Sequence, residues 1–124
     1  NELRVLTEIG LLELGSSYAL ALVPGELAAE LAYGGCLQGD DAWSGTNWNY
    51  PSMQEQLRAC GSSRTLRVLG LANDQLGYIV PDNNFMPLLA PESSSIELVS
   101  LGKATASSLV NAFGALLKSI DQPS

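Results

Sequence analysis

The chain has 124 residues, which bounds it to one domain or a part of one. Its net charge of −7, with six Lys and Arg spread thinly, excludes a basic nucleic-acid-binding surface, and its uncharged stretches are too short to span a bilayer. Hydrophobic residues make up 46% and charged residues 15%, against about 25% charged in an average soluble domain, so another chain or more of the same protein is expected to cover part of the surface, a Ser/Gly/Asn-rich surface being the alternative.

There is no histidine. The chain therefore cannot supply a Ser-His-Asp triad or a His-rich metal site from its own residues. It opens on Asn1 rather than Met, shows no signal-peptide pattern, and reads as processed or cut from something longer.

In chain order, residues 2–13 alternate Val5, Thr7 and Ile9 with Leu6, Glu8 and Gly10, which predicts one long strand or two short ones, with Gly10 at a bulge or bend. A turn at Gly15-Ser16-Ser17 leads into Tyr18–Val23, apolar throughout and predicted to be a central strand. Pro24-Gly25 ends it, and a helix is predicted over Glu26–Tyr33, closed by Gly34-Gly35. On this reading Glu26 is an acid in a first helical turn, favoured by the macrodipole. A carboxylate at the end of a buried strand is equally where open α/β folds keep their chemistry.

Residues 36–60 form a Gly/Asp/Asn/Trp-rich loop and a short helix bounded by Cys36 and Cys60. A disulfide closing it would remove about 3 kcal/mol of denatured-state entropy and point to an oxidising, secreted or periplasmic setting. Two reduced thiols are the alternative. Asp40 and Asp41 lack the spaced oxygen ligands of a calcium loop and read as a solvated turn. Trp43, Trp48 and Tyr50 either line a binding surface or pack over their own loop. Ser52–Cys60 carries a capping box, Ser52 with Glu55, and a buried face of Met53, Leu57 and Cys60.

Thr65–Leu71 is predicted as a second inner strand, followed by the polar loop Ala72–Tyr78 and a short extended piece, Ile79-Val80-Pro81. A loop is expected over Asp82–Glu92. Asn73 and Asp74 are expected to support their loop through local side-chain-to-backbone bonds. The clearest helix covers Lys103–Ile120, with Leu109, Phe113, Leu116, Leu117 and Ile120 on one stripe, and the chain frays beyond Asp121. The fold class expected is α/β, a mixed sheet with flanking helices, forming a single unit over 1–124 that is an incomplete part of a larger domain.

Two strand-end stretches, Val23-Pro24-Gly25-Glu26 and Gly70-Leu71-Ala72-Asn73 followed by Gly77-Tyr78, resemble the later, C-terminal portion of the catalytic domain of the neutral, non-lysosomal ceramidase family. Leu27-Ala28-Ala29 and Ile79-Val80-Pro81 replace the family's usual following residues, which places the resemblance in a divergent bacterial-type branch. The resemblance implies a zinc amidohydrolase acting on a lipid amide, with Glu26 and Tyr78 as two metal ligands and two histidines supplied by an upstream segment. Zinc is then expected only when that segment is present.

A second function class fits the composition: a processed extracellular structural fragment, without catalysis of its own, that assembles with copies of itself. Sheet edges left open by a missing half would invite such pairing.

Overall fold

The structure, a computed structural model, describes residues 4–86 and 100–121. Its organising strand is β2 (Tyr18–Leu22), in which Ala19 and Ala21 face the core, followed by the equally buried Val23. β1 (Gly10–Leu14) pairs with it antiparallel through the 15–17 turn, Leu12 opposite Leu20 and Leu14 opposite Tyr18. β4 (Thr65–Leu69) pairs with its other side in parallel, Ala19 beside Leu66 and Ala21 beside Val68. The chain crosses between these parallel strands through β3 (Glu26–Leu27), α1 (Ala29–Tyr33) and α2 (Met53–Ala59). β5 (Tyr78–Ile79) pairs in parallel with β3, and α3 (Thr105–Asp121) completes the fold. The architecture is mixed α/β, with a three-stranded sheet ordered β1-β2-β4 beside the two-stranded β3-β5 ladder.

One core fills the space between the three-stranded sheet and the helices. Ala19, Ala21, Val23 and Leu66 meet Met53 and Leu57 of α2 and Ala106, Leu109, Val110, Phe113 and Leu117 of α3. The α3 stripe is thus shifted from the expected one, because Ala106 and Val110 are buried while Ile120 is 50% exposed. α2 starts as its sequence demands: Glu55 N–H donates to the Ser52 hydroxyl at 3.1 Å, and Ser52 N–H donates to the Glu55 carboxylate at 2.9 Å.

Several local expectations are corrected. Residues 4–9 are not strand, and pairing starts only at Gly10, opposite Leu22, where the hairpin register begins. α1 begins at Ala29, so Glu26 is a strand residue and the acid of the first turn is Glu30. Backbone pairing with β5 overrides the helical pattern at Glu26 and Leu27. β4 is an edge of its sheet among the described residues, with Thr65, Arg67 and Leu69 exposed. Its outer backbone is nevertheless closed at Leu66, whose N–H donates to the buried Gln54 amide oxygen at 2.7 Å and whose carbonyl accepts from the Tyr33 hydroxyl at 3.0 Å. That edge is unavailable there for strand addition.

Cys36 and Cys60 are not joined by a disulfide. Cys36 lines a cavity with Ser52 and Glu55 at the start of α2, while Cys60, exposed rather than on the buried helix face, follows its end. Residues 2–3 of the first predicted strand, 87–92 of the Pro-rich loop and 122–124 of the expected frayed end lie outside the described residues.

Candidate functional site

The two strand ends singled out in the sequence are tied into one backbone unit. After β2, Val23 N–H still donates to Leu69 of β4 at 3.0 Å. From there the loop after β4 folds around Pro24-Gly25. Ala72 N–H reaches the Val23 carbonyl at 2.9 Å, Leu71 N–H that of Gly25 at 3.1 Å, and Leu76 N–H that of Pro24 at 2.7 Å. The chain then pairs again, Glu26 N–H with Gly77 at 2.9 Å and Ala28 N–H with Ile79 at 2.9 Å. All three carbonyls of Val23-Pro24-Gly25 therefore accept from one loop, and Pro24, which has no N–H to satisfy, is fully buried.

This close winding requires glycine at two places. A Cβ on Gly25 would lie 2.5 Å from the Gly77 carbonyl oxygen and 3.0 Å from Ile79 Cδ1. One on Gly70 would lie 2.9 Å from the Gly25 carbonyl oxygen. The same loop holds Leu71 at φ 57° and Asn73 at φ 68°, the left-handed region. Asn tolerates it, whereas a bulky Leu is strained there. Leu71 is 47% exposed, so its conformation is held by backbone hydrogen bonds from Leu71 and Ala72 rather than by packing.

The product of this winding is the pairing of Glu26 with Tyr78 at one register of the β3-β5 ladder. In-register neighbours on paired strands point to the same face. Glu26 is exposed and Tyr78 partly so. The nearby Glu26 carboxylate, first as a hydrogen-bond acceptor and then through its negative charge, pushes the Tyr78 phenol above its ordinary pKa of 10.0, with slight burial adding to the rise. The two residues proposed from the sequence as metal ligands thus meet, and Glu26 is not placed as a helix-terminal acid. Asp74 caps its own loop by accepting from Gln75 N–H at 3.0 Å, and both Asn73 and Asp74 are exposed.

No family model, no curated protein and no solved structure matches this chain.

As a donor set the pair supplies two oxygens, a carboxylate and a phenol, on one face. These are acceptable ligands for zinc, but half of a four-coordinate set. Among the described residues no three of His, Cys, Asp and Glu come together as a metal site. The residues fit part of the implied centre and cannot complete it.

An open, mainly apolar groove of about 870 Å³ passes the same turn, although neither Glu26 nor Tyr78 lines it. Pro24 and Leu76, each two residues from a member of the pair, form one wall; residues 4–9 and the start of α3 form the others. A second cavity of about 330 Å³ lies away from the pair and holds Cys36, Glu30 and Trp48. Burial, then the Glu30 charge, push the Cys36 thiol up to about 11, against a backbone hydrogen bond that lowers it. Trp48 is buried and its ring lies 4.8 Å from that of Tyr50, whereas Trp43 is exposed. The tryptophans therefore do not form one surface. Among the described residues no helix is long and apolar enough to cross a membrane.

The strained loop at Leu71 and Asn73 was not legible in the sequence, since no residue type there demands positive φ. Gly77, whose carbonyl packs against Gly25, was the available signal, standing immediately before Tyr78.

Proposed function

We propose that this chain carries half of the zinc site of a ceramidase-like amidohydrolase, with Glu26 and Tyr78 as its oxygen ligands and histidines from an upstream segment as the rest. The observation that supports this reading is the in-register pairing of Glu26 with Tyr78 by a closely wound backbone unit that requires Gly25 and Gly70.

When bound, zinc would polarise an amide carbonyl and lower the pKa of a coordinated water toward neutrality. The chain's own residues do the rest. The Val23–Gly25 carbonyls lock the 71–76 loop, which fixes Tyr78 relative to Glu26. The ladder sets Glu26 and Tyr78 side by side on one face, so both oxygens are brought together before any cation arrives. The apolar groove past Pro24 and Leu76 suits the hydrocarbon part of an amide substrate.

Zinc content of the precursor, measured after exhaustive dialysis, tests this. About one zinc per chain is expected with the histidine-bearing segment present, and loss of it in Glu26→Gln and Tyr78→Phe. A precursor without such histidines, or zinc retention indifferent to both substitutions, would sink the reading.

A further inference from the structure

The cavity of about 330 Å³ brings two aromatic rings and two carboxylates together. Trp48 and Tyr50 both line it, their ring centroids 4.8 Å apart and their planes tilted by 50°. Glu30 and Glu55 line it as well, and no lysine or arginine stands among the described residues around it. Its volume falls at the small end of ligand sites, which run from roughly 300 to 1,000 Å³. The aromatic corner is fixed in advance. Gln38 grips the Trp48 backbone with both ends of its amide: Trp48 N–H donates to Gln38 Oε1 at 2.7 Å, and Gln38 Nε2 donates to the Trp48 carbonyl at 3.2 Å. Glu55 gives one oxygen to Ser52 N–H. No hydrogen bond or ion pair with a described residue engages the Glu30 side chain. Cys36 reports that charge: burial first, and then Glu30, raise its thiol to about 11 against a backbone hydrogen bond that lowers it.

These groups select a class of ligand. Ring faces and carboxylates both attract a cation, and two carboxylates oppose an anion. The start of α2 offers an anion nothing further, because Ser52 and Glu55 already cap it. A metal ion needs more donors, and among the described residues no three of His, Cys, Asp and Glu come together as a metal site. A strongly hydrated ion also loses more on leaving water than ring faces return, whereas an alkylated ammonium is weakly hydrated and keeps its charge. We infer that this cavity binds a small alkylated ammonium ion, its charge against the Trp48 and Tyr50 rings and facing Glu30 and Glu55. The inference does not depend on the zinc reading, since neither Glu26 nor Tyr78 lines the cavity.

Choline chloride is the probe, titrated into the whole chain carrying Trp43→Phe, which leaves Trp48 as its one tryptophan. Trp43 is exposed, so the core is untouched by that change. Trp48 fluorescence should respond saturably. Glu30→Gln should weaken binding about tenfold and Tyr50→Ala about three- to tenfold, with circular dichroism to check that both fold. In the unsubstituted chain, intermolecular NOEs should join the choline methyl groups to the Trp48 and Tyr50 rings, which keeps the test independent of any variant. The neutral carbon isostere of choline, and sodium or magnesium chloride at matched ionic strength, should give no saturable response. An equal response to the isostere would make the cavity merely apolar, and an equal response to the salts would reduce the effect to screening; either overturns the proposal. So does choline binding that ignores both substitutions, absence of the NOEs, or no binding at all.

Discussion

Glu26 and Tyr78, 52 positions apart by their numbering, stand side by side at one register of a two-residue parallel ladder, and the carboxylate raises the pKa of the phenol. The pairing is a consequence of backbone, not of side-chain affinity. The carbonyls of Val23, Pro24 and Gly25 fix the loop that delivers Tyr78, and Gly25 lets the Gly77 carbonyl approach closely enough for the ladder to form.

Gly25→Ala should therefore be among the most damaging small substitutions in the chain. Its methyl group would sit 2.5 Å from backbone oxygen, which cannot swing aside as a side chain can. A loss of roughly 1–3 kcal/mol is expected from overpacking, measured by urea unfolding, together with loss of the Glu26 effect on the Tyr78 phenol. Unchanged stability would show that the turn is looser than described.

Leu71→Gly should act in the opposite direction. The left-handed conformation costs a non-glycine residue about 1–2 kcal/mol, and a gain of up to about 1 kcal/mol should remain after the added chain entropy of glycine. Little packing is lost, because the side chain is half exposed. Destabilisation of more than about 1 kcal/mol, the size of the entropy term alone, would contradict the account of strain.

Both cysteines should titrate as thiols in the unfolded protein without added reductant. In the native protein the exposed Cys60 should react first. Cys36 should lag, because burial and Glu30 hold its thiol protonated up to about 11. Thiols appearing only after reduction would restore the disulfide.

The same shift fixes a pH dependence. Cys36 is raised from 9.0 to about 11 in the folded chain, so above 9 the unfolded state sheds its proton more readily than the native state. Its stabilising contribution is complete below pH 9 and is lost as pH rises through 11. Cys36→Ala should flatten the fall in thermal midpoint over that window; an equally steep fall would assign the effect elsewhere.

Legibility differed sharply between local and non-local features. The Ser52–Glu55 capping box was readable because its partners lie within one turn, and β2 because five apolar residues in a row have few alternatives. Glu26 was misread as helical because strand β3 owes its existence to a partner far along the chain at Tyr78. The cysteines misled for a related reason: spacing in sequence does not report which side chains meet in space. The edge position of β4 was likewise hidden, since Leu66 and Val68 look as apolar as an inner strand while Thr65, Arg67 and Leu69 face outward. The site pair itself came from a resemblance; alternation and propensity alone would have left Glu26 as a helix-terminal acid.

The central claim is that Glu26 and Tyr78 form one site, and the phenol tests it directly. With tyrosine labelled at Cζ, carbon NMR follows the ionisation of each of the four tyrosines separately, and Tyr78 is assigned by Tyr78→Phe. Because Glu26 is the leading cause of the shift, Tyr78 should ionise above 10.0 in the wild-type protein and fall back toward it in Glu26→Gln. A Tyr78 titration that ignores Glu26→Gln would contradict the pairing, and the half-site with it.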